Sequence, residues 1–187
     1  GLGDEGQLDA PEGSFVSLSV GHAHACAIDV DGDASCWGRN DAGQTDLMGS
    51  YAAVSAGGAH SCGLDARGAV TCVGRNNEGQ TAVPDYTFLS VAAGEKHTCG
   101  IVRLDDDRNG SVCWGEVKKE VQPEEAPLRV ISGSNWSCVE SEAGLSCFGP
   151  NVHSSEPVPE SIQVGTAAMG KDHGCGLNSD GTVQCWG

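Results

Sequence analysis

One complete copy of a repeated motif runs GGAHSCGLDARGAVTCVGRNNEGQ from Gly57 to Gln80. Its two cysteines, Cys62 and Cys72, are centred on Arg67, and a glycine follows that residue directly. Glycine readily supplies the positive φ that the last position of a three-residue hairpin loop requires. A hairpin that turns at Arg67 sets the two cysteines directly opposite each other. The turn by itself therefore predicts that this pair lies at disulfide distance.

The ten cysteines of the chain fall into five such pairs, whose first members recur about every 37 residues. The pairs are Cys26/Cys36, Cys62/Cys72, Cys99/Cys113, Cys138/Cys147 and Cys175/Cys185. Zinc sites favour cysteines separated by about two to four residues, a spacing that this chain lacks. The spacing therefore favours hairpin disulfides over metal ligation.

A constant period of this length, with short apolar runs bounded by glycine, is typical of stacked β-repeats. We expect an all-β, five-bladed β-propeller with one hairpin disulfide in each blade. The predicted repeats, which form a single domain, are 15–50, 51–87, 88–127, 128–161 and 162–187, the last completed by 1–14. Gly3 to Gln7 match the Gly-Gln end of the motif that the last copy lacks, so we expect strands from both ends of the chain to close the ring in one blade. A longer array cut at this boundary is the alternative.

The charge and the cysteine content narrow the class of function. The formal net charge is −16, and such an acidic surface repels phosphate backbones and anionic lipid, which argues against nucleic-acid binding and membrane docking. No apolar run is long enough to span a bilayer. An even, dense set of cysteines is typical of oxidising surroundings, so we expect a secreted, periplasmic or cell-surface protein. We also expect a monomer without a cofactor.

The pattern Gly-x-x-His-x-Cys, followed by Cys-Trp-Gly-x-Asn-x-x-Gly-Gln, resembles the regulator of chromosome condensation repeat in its cysteine-bearing, exported branch. The resemblance runs from Phe15 to Gly187 and includes Gly6-Gln7. It implies a β-propeller that recognises another protein through loops on one face. The family usually has seven copies and this chain has five, and its third and fourth copies lack Asn-x-x-Gly-Gln. The resemblance therefore does not carry over a seven-bladed partner surface.

Two sets of repeated polar residues are candidates for a metal site. His24, His60, His97 and His173 each stand two residues before a cysteine, so a ring of imidazoles could bind a metal. We favour a repeated structural hydrogen bond, because repeat positions recur first for packing reasons. Asp29, Asp31 and Asp33 resemble a fragment of a calcium loop, but the equivalent turns do not keep the acidic pattern. We favour a simple turn there.

The departures from the repeat are the candidates for partner binding. Trp136 takes the histidine position in the fourth copy, either as an exposed anchor or as a space filler. Asp105, Asp106, Asp107 and Arg108 lengthen the third hairpin, as a solvated insertion, a cation site or a partner contact. The repeated aromatics Trp37, Trp114, Phe148 and Trp186 alternate with cysteines and are predicted to lie in the core between blades.

No catalytic motif is found in the sequence. We therefore predict an extracellular or cell-surface module that binds another protein without catalysis. One alternative is an enzyme, a hydrolase or lyase acting at one mouth of the propeller. The other is a metal-binding protein that uses the repeated histidines or the Asp-rich loops.

Overall fold

The chain folds into five antiparallel sheets, one for each predicted copy of the repeat. The computed structural model describes residues 3–124, 126–150, 158–159 and 162–187, and all regular secondary structure in these ranges is strand. The end of the predicted fourth repeat and the first two residues lie mostly or wholly outside the described residues. The predicted all-β class and the five blades are confirmed.

Each blade is a meander in which consecutive strands pair in chain order. The first two blades contain β1 (Phe15–Val20), β2 (His24–Asp29), β3 (Ala34–Gly38), β4 (Ala53–Ala56), β5 (His60–Leu64) and β6 (Val70–Gly74). The third contains β7 (Thr87–Ala93), β8 (His97–Arg103), β9 (Asn109–Gly115) and β10 (Lys119–Glu124). The last two contain β11 (Pro127–Ser132), β12 (Ser137–Ser141), β13 (Gly144–Phe148), β14 (Ala168–Met169), β15 (Gly174–Leu177) and β16 (Val183–Trp186).

The cysteine register follows from the turns. The turn glycine Gly32 has a φ of 92°, and the cysteines on either side of it face each other across β2 and β3. The Cα–Cα separations of the five pairs are 4.0 to 4.1 Å, close to the roughly 4.5 Å of a non-hydrogen-bonded pair in an antiparallel ladder. Every blade therefore has one disulfide across its second and third strands. The disulfides are Cys26–Cys36, Cys62–Cys72, Cys99–Cys113, Cys138–Cys147 and Cys175–Cys185, the five pairs expected from the spacing.

The two cysteines of a pair differ in their surroundings, which the spacing alone did not indicate. In the first four blades the first cysteine, on the second strand, is buried. The second cysteine lies on the outer third strand and is generally more accessible. Cys113 is buried because β10 covers its strand, Cys36, Cys72 and Cys147 are half-buried, and Cys185, on the last strand of the fifth blade, is exposed.

Within the described residues, the third blade has four strands and the other four sheets have three each. After Gly38 the Asn-x-x-Gly-Gln segment turns instead of extending, because the Asn40 Oδ1 accepts a hydrogen bond from the Thr45 amide at 2.9 Å. Asn76 makes the equivalent bond with Thr81 at 3.0 Å. The third copy lacks this asparagine, and its chain continues into β10, which pairs with β9. Loss of the turn motif thus coincides with the fourth strand.

The N-terminal residues form the turn that their alignment with the repeat predicts. The Gln7 side chain accepts a hydrogen bond from the Glu5 amide at 2.9 Å, as Gln44 and Gln80 do from the residues two positions before them. The indole of Trp37 donates to the Gln7 carbonyl at 3.2 Å. The segment therefore packs on the first blade as each Asn-x-x-Gly-Gln segment packs on the blade that follows it.

Adjacent blades approach closely at the glycine that ends each first strand. A methyl group on Gly21 would stand 2.4 Å from the Gly57 carbonyl, and one on Gly57 would stand 2.3 Å from the Gly94 carbonyl. Backbone hydrogen bonds also join adjacent blades here, from the Gly58 amide to the Gly94 carbonyl at 3.0 Å and from the Glu95 amide to the Ser134 carbonyl at 3.0 Å. The first strands surround a central cavity of about 550 Å³, lined by Val20, Ala56, Ala93, Ser132 and Met169. This arrangement places the five blades around one axis.

The core is divided among the contacts between neighbouring blades. One cluster joins Leu64 of the second blade to Phe88 and Trp114 of the third, whose rings meet edge to face at 5.6 Å. Another joins Trp136 of the fourth blade to Ile162 and Trp186 of the fifth. Of the predicted core aromatics, Trp114 and Trp186 are buried, whereas Trp37 and Phe148 are half-buried.

Closure of the ring stays a prediction. Residues 3–14 contain no strand, and the fifth sheet has the order β14-β15-β16 without a segment from the N-terminus.

Candidate functional site

The repeated histidines lie at the contacts between blades. His24, His60 and His97 each start the second strand of their blade and reach a hydroxyl on the second strand of the next. His24 Nε2 is 2.8 Å from Ser61 Oγ, His60 Nε2 is 2.8 Å from Thr98 Oγ1, and His97 Nε2 is 2.7 Å from Ser137 Oγ. The histidines thus make the repeated structural hydrogen bond that we favoured, and the bond joins two blades.

The hydroxyl partners define which ring nitrogen carries the proton. Ser61 donates its own hydrogen to the Gln44 carbonyl at 2.7 Å, and Thr98 donates to the Gln80 carbonyl at 2.9 Å. Each hydroxyl must then accept from the histidine, so His24 and His60 carry their proton on Nε2. Their Nδ1 atoms are buried without a partner among the described residues.

Burial keeps these imidazoles neutral. Desolvation, with smaller contributions from the nearby His97 and His24, lowers the pKa of His60 from 6.5 to about 4. Desolvation likewise lowers the pKa of His97 to about 4 and lowers the pKa of His24. A charged ring would carry a second N–H at Nδ1, which is buried without a partner among the described residues.

The geometry does not favour a metal ring. His24, His60 and His97 already use Nε2 for a hydroxyl in the next blade, and His173 is exposed on the fifth blade. Within the described ranges, no group of three or more His, Cys, Asp or Glu side chains is placed to hold a metal ion. The Asp29 turn is likewise built by its own backbone, since Asp29 Oδ1 accepts from the amides of Asp31 and Asp33 at 2.9 Å.

Trp136 is a space filler at the contact between the fourth and fifth blades. It is 3% exposed and its indole donates to the Lys171 carbonyl at 3.1 Å. The next blade has Gly174 where the second and third blades have Ser61 and Thr98, so a histidine here would meet no hydroxyl. The alternative of an exposed anchor is wrong, because the fifth blade covers the ring.

The fourth copy also has a buried acid at a position that is apolar in the other copies: Glu140 stands where they have Ile28, Leu64, Ile101 and Leu177. Glu140 is 2% exposed, and Arg129 donates to it through Nε at 2.6 Å. Glu140 accepts a further hydrogen bond from the Gly165 amide at 2.9 Å, and Arg129 donates to the Ala167 carbonyl at 3.1 Å. The pair therefore holds the fourth blade to the fifth.

The third hairpin forms an ordered acidic turn. Asp105 accepts from the Arg108 amide at 2.8 Å and pairs with its guanidinium at 2.6 Å. That side-chain hydrogen bond from Arg108 holds the pKa of Asp105 below its ordinary value. Asp106 and Asp107 are exposed, and no partner for their carboxylates is present among the described residues. The turn therefore presents two unpaired carboxylates to solvent.

The turn of Asp105 shares one face of the molecule with the other hairpin tips. Contacts between blades join equivalent residues, so all five second strands run the same way and their turns emerge at one end, which we call the hairpin face. Arg67 and Arg108, which lie in these turns, are paired with Asp65 and Asp105. The remaining carboxylates of this face include Asp31, Asp33, Asp106, Asp107 and Glu142.

Comparison with known families identifies the repeat. Residues 15–44, 51–80 and 166–187 match the model described as the regulator of chromosome condensation (RCC1) repeat. Three of the five copies therefore match the RCC1 repeat. The five disulfides fit a cysteine-bearing branch of this family. No curated protein sequence is significantly similar to the chain.

Solved structures similar to the chain include plant receptor ectodomains. The chain is similar to the CRINKLY WD40 ectodomain of the Arabidopsis thaliana receptor kinase ACR4, with 26% identity and a TM-score of 0.70 over 92% of this chain and 63% of that one. It is also similar to the ectodomain of the Physcomitrella patens receptor kinase CR4, with 26% identity and a TM-score of 0.78 over 95% of this chain and 53% of that one. This chain thus spans less than two thirds of either relative.

A yeast protein shares the fold at lower identity. Prp20p of Saccharomyces cerevisiae, described with its binding properties to Gsp1p and histones, is 19% identical with a TM-score of 0.70 over 91% of this chain and 56% of that one. At this identity the likeness shows the fold alone.

Among the described residues, no helix meets the length and hydropathy required to cross a bilayer.

Sequence reasoning missed the hydroxyls that the RCC1-repeat histidines bind. Ser61, Thr98 and Ser137 each follow the His or Trp position by one residue, and Ala25 and Gly174 stand there in the first and fifth copies. Serine or threonine recurs at this position in the second, third and fourth copies. The structure shows its role, because each hydroxyl lies against the histidine of the preceding blade.

Proposed function

We propose that this chain is an extracellular or cell-surface module that binds another protein and has no catalytic role. The observation that carries the proposal is its 26% identity to two receptor-kinase ectodomains over more than nine-tenths of the chain. A disulfide in every blade supports an oxidising compartment, because hairpin disulfides persist outside the reducing cytosol.

The architecture suits recognition by rigid loops. Each blade holds its hairpin with a disulfide, and each of the first three blades bonds to the next through a buried histidine–hydroxyl pair. Turns on such a scaffold lose little conformational entropy on binding, which favours affinity for a protein surface. The function is thus served by the loops, whose lengths differ between copies, and not by the repeated blade contacts.

We place one contact at the third hairpin, through Asp105, Asp106, Asp107 and Arg108. This hairpin is extended relative to the others, with strands of seven residues against five or six in the first blade. Its unpaired carboxylates and the acidic chain favour a partner with a basic segment. Nucleic acid and anionic membrane are disfavoured partners, since both repel a chain of net charge −16.

An extracellular interaction screen tests the proposal. The chain, displayed in several copies on a carrier, is screened against a library of secreted proteins and receptor ectodomains, and hits are measured by biolayer interferometry. The paired substitution Asp106→Asn/Asp107→Asn should weaken the best hit by about tenfold and reduce its salt dependence. Asp31→Asn, at the exposed tip of the first hairpin, is the matched control and should leave the affinity within about twofold.

Two outcomes would count against the proposal. Equal weakening by the control and the test variants would place the contact away from the third hairpin. A screen without any protein partner, together with turnover of a substrate by the purified chain, would favour the enzyme alternative.

A further inference from the structure

A pocket of about 100 Å³ lies where the second blade meets its two neighbours, at the end of the molecule opposite the hairpin face. It is lined by the loops that precede the second strands and by the segments that follow the third strands of the first two blades. Small residues leave this space open, because Gly58 and Ala59 of the second blade stand where the third blade has Glu95 and Lys96. The pocket therefore lies between consecutive blades and not at an edge of the array.

Repeated backbone hydrogen bonds position two arginines at this pocket. The Arg39 amide donates to the Ala23 carbonyl at 2.8 Å, and the Arg75 amide donates to the Ala59 carbonyl at 2.8 Å. Each arginine is thus fixed beside the loop that precedes the second strand of its own blade. Lys96 joins them from the third blade, so three cationic side chains from three blades line one pocket.

The two arginines differ in their partners. Arg39 donates to one oxygen of Asp41 at 2.5 Å, and Gln44, which is 1% exposed, donates to the other at 3.2 Å. The hydrogen bond from Arg39 lowers the pKa of Asp41 below its ordinary value, and the Gln44 hydrogen bond and the nearby charge of Arg75 add to the effect. The second copy has Asn77 at the position of Asp41, so Arg75 lacks the equivalent acid.

The charges of the lining leave a local excess of positive charge. The five ion pairs of the described structure involve neither Arg75 nor Lys96. Glu95 is a carboxylate of the lining that none of these pairs neutralises either. Three cations thus face two carboxylates in a chain whose net charge is −16. Such a site attracts an anionic group locally, although the molecule as a whole repels it.

The donors and the size of the pocket fit a carboxylate. The planar guanidinium of an arginine presents N–H groups in a fork that matches the two oxygens of a carboxylate, and a lysine adds a point charge beside it. A water molecule occupies about 30 Å³ in the liquid, so the pocket has room for a group of about three waters. That space holds the end of an acidic side chain or a chain terminus.

We propose that this pocket binds a carboxylate of an acidic protein segment, with Arg75 and Lys96 as the binding residues and Glu95 as the residue that opposes binding. The proposal rests on the proposed function, because it adds a second contact surface for a protein. This surface lies opposite the carboxylate-rich hairpin face, so the two ends of the molecule select segments of opposite charge.

A labelled acidic peptide tests the site directly. Fluorescence anisotropy measures the binding of fluorescein-labelled hexaglutamate to the oxidised chain near neutral pH in about 0.15 M NaCl. Hexaglutamate should bind and labelled hexaglutamine should not. Arg75→Gln and Lys96→Gln should each weaken the binding of hexaglutamate by about fivefold, because each removes one cation of the pocket. Glu95→Gln should strengthen it by about threefold, because the opposing carboxylate is lost.

Two further variants control for the overall charge of the chain. Arg103→Gln alters an exposed arginine at the hairpin end of β8, and Lys118→Gln alters an exposed lysine that does not line the pocket. Neither residue belongs to an ion pair of the described structure. Both substitutions change the net charge by the same amount as the test variants, and both should leave the affinity within about twofold.

Three results would overturn the proposal. They are the absence of hexaglutamate binding up to about 5 mM peptide, binding that Arg75→Gln leaves unchanged, and binding that Glu95→Gln weakens. Equal weakening by the control and the test variants would also overturn it, because the attraction would then come from the overall charge.

This site and the proposed function fail in different ways. A protein partner found in the extracellular screen, together with no binding of hexaglutamate, would overturn the site and leave the proposed function in place. Hexaglutamate binding with the expected order of variants, together with a screen that finds no protein partner, would support the site and count against the proposed function.

Discussion

The Nε2 of His60 lies 2.8 Å from the Oγ1 of Thr98, which in turn donates to the Gln80 carbonyl at 2.9 Å. The relationship joins three segments: the second blade, the third blade and the Gln80 turn that links them. It recurs as His24, Ser61 and Gln44 one blade earlier. A single buried hydroxyl thus orients a ring in one blade and a turn between two blades.

Removal of that hydroxyl should loosen the blade contact. Thr98→Val keeps the shape of the side chain but leaves the His60 Nε2 and the Gln80 carbonyl without partners in a dry interface. The expected cost is about 1–3 kcal/mol in the free energy of unfolding, measured by chemical denaturation without reductant. Thr71→Val, on the exposed third strand of the second blade, is the control and should change stability by less than about 0.5 kcal/mol.

Acid should destabilise the propeller through the same histidines. The pKa of His60 and of His97 is about 4 in the folded chain against 6.5 ordinarily, so the unfolded chain binds the proton first as the pH falls. Their contribution is complete above about pH 6.5 and is lost progressively down to about pH 4, at about 3 kcal/mol for each ring.

The pH dependence of the unfolding free energy between pH 7 and pH 4 measures this effect. His60→Gln keeps an N–H donor toward Thr98 and removes the titrating group, so its curve should be flatter than that of the wild type. His22→Gln alters an exposed imidazole but keeps the backbone hydrogen bond from His22 to the Gly57 carbonyl, so it is the control and should leave the slope unchanged. Equal slopes in all three proteins would contradict the assignment.

Because the charge of Glu140 is buried, substitution of Arg129 should lower the free energy of unfolding more than substitution of Glu140. Arg129→Met leaves a carboxylate that is 2% exposed with only the Gly165 amide as a partner, at a cost of about 3 kcal/mol or more. The double variant Arg129→Met/Glu140→Gln removes the charge and should regain more than half of that loss. Thermal unfolding of the four proteins of this cycle gives the coupling directly.

All ten thiols should be oxidised in the purified chain. Alkylation of the denatured protein without reductant should add no groups to the intact mass, because each cysteine lies in a disulfide across its own hairpin. The Cys62→Ala/Cys72→Ala variant should unfold at a free energy about 3 kcal/mol lower, the entropic cost of releasing a loop of this size. An alkyl group on every cysteine would contradict both the disulfides and the extracellular proposal.

The accessible disulfide of the fifth blade should be reduced before the buried ones. Cys185 is exposed and its partner Cys175 is half-buried, whereas both Cys99 and Cys113 are buried in the third blade. A reductant reaches a disulfide through an accessible sulfur, so access sets the order of reduction in the folded chain. Brief treatment with dithiothreitol, followed by alkylation and peptide mapping, should label Cys175 and Cys185 first. Earlier labelling of Cys99 and Cys113 would contradict this order.

Local chemistry determined the hairpins. Glycine after Asp31, Arg67 and Asp180 set the turn, the turn set the register, and the register placed each pair of cysteines face to face. The repeat length then required neighbouring copies to stack, because one three-stranded unit cannot bury both of its sides. The sequence by itself therefore determined the hairpins, the disulfides and the number of blades.

The tertiary structure decided the roles of residues that contact a neighbouring blade. Trp136 could fill space or face a partner, and the choice depended on the fifth blade, where the Lys171 carbonyl accepts from the indole. Thr98 had no role that the sequence predicted, and in the structure its hydroxyl contacts the His60 ring. Turn and pairing rules act within about a dozen residues of sequence, whereas burial is set by whichever surface lies across the interface.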